Sequence, residues 1–120
     1  MDSKTTIEVL KQTIEKFMDE RDWAQFHNPK DLAIGISTEA NELLDIFRFK
    51  NEEQISKMMN GKKREHIAQE LADTLIFILR FAQMNSFDIA TEIYKKMQIN
   101  AQKYPVEASK GKNSKSEIKY

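Results

Sequence analysis

The sequence predicts an all-α fold, arranged like a four-helix bundle, and two observations predict it. Helix breakers are scarce, with 3 glycines and 2 prolines in 120 residues, and each placed inside a helix would cost about 1 kcal/mol or about 3 kcal/mol respectively. Apolar residues recur at spacings of three and four, the period of one face of an α-helix. Long helices are expected at about 5–20, 29–48, 63–85 and 88–103, with a short helical piece near 51–59.

In the first helix Ile7, Leu10, Ile14 and Phe17 mark the inward face, behind a capping box running from Thr5 to Glu8. Arg21 to Asn28 reads as a loop rich in ring side chains, with Trp23, Phe26 and His27. Asn28-Pro29 opens the second helix, because proline has no amide proton to lose in a first turn. Asn60-Gly61 reads as a turn. The third long helix is apolar on nearly every side from Ile67 to Phe81, the mark of a central, buried element. The fourth stops before Pro105, since the residue ahead of a proline disfavours helical geometry. Residues 1–106 read as one domain and 107–120 as a basic tail, rich in lysine and serine and expected to be mobile until something binds it.

Composition narrows the function. Lysine plus arginine equals aspartate plus glutamate at 19 each, so no whole-molecule field draws the chain to nucleic acid or to an anionic membrane. There is no cysteine, which excludes a disulfide framework and a thiolate metal site. No stretch reaches membrane-spanning length and the N-terminus has no leader pattern, so a cytoplasmic location is expected.

The informative residues are acids placed where hydrophobes belong. At about 100° per residue, Leu32, Ile36, Leu43 and Ile46 of the second helix project in nearly one direction. Glu39 points into the middle of that arc, and Glu42 lies at its edge, about 60° away. On the third long helix Ile67, Phe77, Phe81 and Met84 define one side, and Glu70 and Asp73 project within it. One E-x-x-E pair on a helix is ordinarily a solvated edge, but two pairs sharing an inward phase would repel or take up protons unless a cation lies between them. An all-oxygen donor set suits magnesium first and manganese second. His66 shares a face with Glu70 and reads as structural or solvent-facing, and the absence of inward E-x-x-H pairs argues against a di-metal oxidase.

On the fourth helix Lys96, Asn100 and Lys103 share one side and form a cationic stripe able to hold phosphate oxygens. A helix apolar all round in so short a chain implies more hydrophobic surface than one copy covers, so a homo-oligomer is expected.

Glu39-x-x-Glu42 and, after 27 intervening residues, Glu70-x-x-Asp73 resemble the signature of the all-α nucleotide pyrophosphohydrolase superfamily, which includes MazG proteins and dimeric dUTPases. The resemblance is to the MazG-like, dCTP pyrophosphatase branch in Arg21-Asp22-Trp23-x-Gln25-Phe26-His27-x-Pro29, in Glu70-Leu71-x-Asp73, and in Lys96-Met97-x-x-Asn100-x-x-x-Tyr104-Pro105-Val106. It implies magnesium-dependent hydrolysis of a nucleoside triphosphate, dCTP or a related or modified pyrimidine nucleotide, to the monophosphate and pyrophosphate. It also implies a metal site of Glu39, Glu42, Glu70 and Asp73, with Glu39 orienting or deprotonating the attacking water.

By the same resemblance Trp23, His27, Phe49 and Phe77 contact the base, and Lys96, Asn100, Lys103 and Tyr104 belong to the substrate-binding set. Phe49 and Phe77 stand where tryptophan and tyrosine are usual in dCTP-preferring members, and Lys103 replaces a usual arginine. Thr38 stands where the full MazG motif has a further acid. The family implies a dimer or a dimer of dimers, here a homotetramer, and a tail, matching at Ser109-Lys110-Gly111, that closes over the phosphates. A dUTPase-like or broad-specificity triphosphate pyrophosphatase is the alternative within the superfamily. A non-catalytic helical interaction module is the alternative outside it.

Overall fold

The structure is a computed structural model and describes residues 1–113; the part of the predicted tail at 114–120 lies outside the described residues. Those residues are all-helical: α1 (Ile7–Glu20), a 3₁₀ turn (Ala24–Phe26), α2 (Pro29–Phe47), α3 (Glu52–Met59), α4 (Lys63–Met84), α5 (Ile89–Lys103) and α6 (Val106–Ser109). They fall into two compact units that divide after Ser86.

The first unit is built on α4. Against it pack α2 most extensively, then α1 and α3. Met18 of α1, Leu32 of α2, and Ile67, Leu79 and Ala82 of α4 are the buried apolar residues. Leu32 is only 1% exposed, and truncating such a leucine to alanine costs about 2–5 kcal/mol. The prediction of a central helix holds for its packing, but not for its whole circumference. Leu71 and Leu75 of α4 are 58% and 48% exposed, so one apolar side is left open among the described residues.

The helix starts are chemically specified. Asn28 caps α2, its side chain accepting from the Asp31 amide at 2.9 Å, with Pro29 in the first turn. Asn51 and Gln54 cap α3 reciprocally, each side chain accepting from the other's amide at 2.9 Å. The start of α1 differs from the expected Thr5 box. Thr6 is the cap, accepting from the Val9 amide at 3.2 Å, and Val9 has no acid with which to reach back. The loop predicted between α1 and α2 tightens into the 3₁₀ turn, which Trp23 precedes and His27 ends.

In the second unit Asp88 caps α5 by accepting from the Thr91 amide at 3.0 Å. The start of the predicted tail winds into the single turn of α6. No helix among the described residues is long and apolar enough to cross a membrane.

Candidate metal centre

Two glutamates and an aspartate converge because α2 and α4 lie against each other at Gly35. A Cβ built there would stand 2.6 Å from Cε1 of Phe77, so any side chain at this position would push the helices apart or displace the ring. One turn beyond Gly35, α2 presents Glu39, and one turn before Phe77, α4 presents Asp73, with Glu70 beside it. One carboxylate oxygen from each of Glu39, Glu70 and Asp73 lies within 4.8 Å of the other two. Glu42, the fourth acid singled out in the sequence, is outside that triplet but meets Glu39 closely enough for their carboxyls to hydrogen-bond.

The electrostatics of this cluster are unfavourable without a counter-charge. The carboxyl of Glu39 is pushed up to about 6, first by burial, then by the charge and hydrogen bond of Glu42, and then by Asp73 and Glu70. Oε2 of Glu39 and Oε2 of Glu70 are buried and have no hydrogen-bond partner among the described residues. Each such orphan costs about 1–3 kcal/mol. A hard divalent cation ligated by oxygen removes both penalties at once, and the donor set, all carboxylate, fits magnesium or manganese.

Two cavities flank the cluster. The larger, about 540 Å³, is lined by Glu42, Asp45, Ile46 and Lys50, by Met58 of α3, and by Lys63, His66 and Glu70. In it the Nε2 of His66, a solvent-facing side chain, lies 3.3 Å from Oε1 of Glu70. The second cavity, about 340 Å³, is lined by Thr13, Ile14, Phe17 and Met18 of α1, by Trp23, and by Asp73 and Ile76 of α4. Trp23 packs edge-on against Phe17, with centroids 5.9 Å apart. An apolar pocket with aromatic walls opening beside a carboxylate can take a flat ring whose attached anion reaches the acids.

The other residues singled out in the sequence occupy different places. Phe77 is half-buried over Gly35 and forms part of the contact between α2 and α4. Phe49 is 86% exposed, lies under the Arg48 guanidinium at 4.6 Å, and lines neither cavity. His27 accepts at Nδ1 from Nε of Arg80, at 3.0 Å. Lys96, Asn100, Lys103 and Tyr104 all belong to the second unit, where Asn100 is half-buried and Lys103 lies 5.7 Å from the Tyr104 ring.

Sequence reasoning overlooked Arg80, the one buried charged residue among the described residues. Its signal was present, since an arginine interrupts the apolar run Leu75-Ile76-Phe77-Ile78-Leu79 and Phe81-Ala82. Lys50 and Lys63, the cations lining the larger cavity, were also overlooked, and nothing in their spacing marks them.

Comparison with known proteins gives a consistent picture. Residues 34–117 match the MazG-like family. "dCTP pyrophosphatase 1" of Rattus norvegicus is 34% identical over 107 residues, covering 88% of this chain and 63% of the relative. The Homo sapiens protein of the same name is 30% identical over 111 residues, covering 92% and 65%. The chain therefore spans somewhat less than two thirds of the length of these curated relatives. The crystal structure of a pyrophosphatase from Archaeoglobus fulgidus superposes with a TM-score of 0.76 at 33% identity, covering 82% of this chain and 91% of its own.

Proposed function

The chain belongs to the MazG-like family, and from that premise we propose that it hydrolyses a nucleoside triphosphate to the monophosphate and pyrophosphate. The observation that carries this reading is the cluster of Glu39, Glu70 and Asp73, with two buried carboxylate oxygens that lack a partner. Structural ion-pair networks bring cations to their acids; this cluster leaves the place between its acids to something from outside.

Glu39, Glu42, Glu70 and Asp73 would hold magnesium, or manganese in its place. When bound, the cation supplies positive charge against the triphosphate and the leaving pyrophosphate. The protein's own part is to hold the reactants and to move one proton. Water adds at the α-phosphorus, the bond from that phosphorus to the bridging oxygen breaks, and the electron pair leaves with pyrophosphate. Glu39 is the acid assigned to take the water's proton, because α2 presents it to the same point as Glu70 and Asp73. The cavity bounded by Trp23 and Phe17 receives the base beside Asp73, and Lys50 and Lys63 in the larger cavity offer charge to the phosphates.

The relatives named for dCTP support a pyrimidine deoxynucleotide, dCTP or a modified form of it, as substrate. The resemblance supports Trp23 and His27 as base contacts, and Lys96, Asn100, Lys103 and Tyr104 as further substrate-binding residues. The uncovered Leu71 and Leu75 support assembly into a dimer or a dimer of dimers. Pyrophosphate release from a panel of ribo- and deoxynucleoside triphosphates in magnesium tests the reading. Release is expected, fastest with dCTP or a modified cytosine nucleotide. No release from any triphosphate at high protein concentration would remove the enzymatic reading and leave a helical interaction module.

A further inference from the structure

A chain of polar groups runs through the first unit, away from the acidic cluster, and ends on His27. Glu15 of α1 accepts from Nε2 of Gln83 at 2.7 Å, Gln83 accepts from Nη1 of Arg80 at 2.6 Å, and Nε of Arg80 donates to Nδ1 of His27 at 3.0 Å. Arg80 is 1% exposed, and its Nη2 has no partner among the described residues. A buried guanidinium with an unused donor is destabilising relative to an apolar side chain of similar volume. Its presence there points to a role other than packing.

The chemistry of the last link is restrictive. An arginine Nε–H can only donate, so Nδ1 of His27 must carry its lone pair. The ring is then neutral, its one proton sits on Nε2, and it presents a donor rather than an acceptor. Burial, followed by the nearby Arg80 charge, lowers the pKa of His27 and keeps it in that neutral state.

The placement is as specific as the tautomer. Asp73, Phe77 and Arg80 follow one another along one face of α4 at spacings of four and three. His27 is thus tied to α4 at a residue two turns beyond Asp73, about 10 Å of helix rise. It also ends the turn that Trp23 begins, and Trp23 lines the cavity beside Asp73.

We propose that Arg80 is a positioning residue for base recognition: it fixes His27 as a hydrogen-bond donor through Nε2, so the base edge met there carries an acceptor. This rests on the nucleotide reading above. A pyrimidine carbonyl, or the unprotonated ring nitrogen of cytosine, satisfies that donor.

The test combines ¹⁵N spectra of the two imidazoles with dCTP kinetics in magnesium. In the wild type His27 is expected to be protonated at Nε2 and not at Nδ1. Arg80→Met, which keeps the volume and removes the donor, is expected to mix the His27 tautomers and raise KM about tenfold, the loss of one well-placed hydrogen bond, with a smaller effect on kcat. If Arg80→Met loses the helical signal, the same readings are taken on Arg80→Leu, which likewise has no donor for Nδ1 of His27. A wild-type His27 protonated at Nδ1, or a folded variant with unchanged tautomer and KM, overturns the proposal. A wild type that turns over no triphosphate removes the nucleotide reading and the recognition role with it, whereas the tautomer is read without turnover.

Discussion

Glu39 is where burial and charge are most sharply opposed. Its carboxyl sits at about 6, against an ordinary 4.5, so between those pH values the folded protein holds a proton that the unfolded chain has released. Stability carried by that proton is complete below about 4.5 and is lost as pH rises through about 6. In chelator the urea midpoint is therefore expected to fall between pH 5 and pH 7.5, and Glu39→Gln, which cannot ionise, is expected to flatten that fall. A midpoint in chelator that rises over this range, or a Glu39→Gln variant that follows the wild type, contradicts the account. The inward phase of Glu39 was legible because helical arithmetic needs no partner. The surroundings of Arg80 were not, because its hydrogen-bond partner His27 is 53 positions away and only the fold brings them together.

The α2–α4 contact fixes how closely the acids approach. Alanine at Gly35 would gain about 1 kcal/mol of helix propensity, but its Cβ would overlap the Phe77 ring at 2.6 Å. Overpacking of this kind costs about 1–3 kcal/mol, so Gly35→Ala is expected to lose about 1 kcal/mol in urea unfolding and to weaken magnesium binding as the helices separate. Adding Phe77→Leu should recover most of both. A Gly35→Ala variant that is more stable and binds magnesium normally would show that the ring yields freely. The helices themselves were readable from apolar spacing, and Asn28-Pro29 marked the start of α2 to the residue. The start of α1 was misread by one residue, since adjacent Thr5 and Thr6 carry the same capping chemistry and the backbone decides which of them is extended.

For the molecule as a whole, the exposed apolar residues of α4 are a cost that packing within the first unit leaves standing. Leu71 and Leu75 leave about half their surface to water, and fully covering a leucine is worth about 1.5–3 kcal/mol. The protein is expected to sediment as a dimer or tetramer, and Leu75→Lys to shift it toward the monomer with its helical content kept. A wild type that sediments as a monomer at micromolar concentration would contradict this. The apolar girth of the third long helix was legible as excess hydrophobicity, but which of its sides stays open depends on where α1, α2 and α3 settle. The most direct test of the account is pyrophosphate release from dCTP followed through addition of a chelator and then of excess magnesium, for the wild type and for Glu70→Ala. The account predicts that wild-type release stops on chelation and resumes with magnesium, while folded Glu70→Ala stays at least about a hundredfold slower. Release that continues in chelator, or that Glu70→Ala sustains at the wild-type rate, would contradict it.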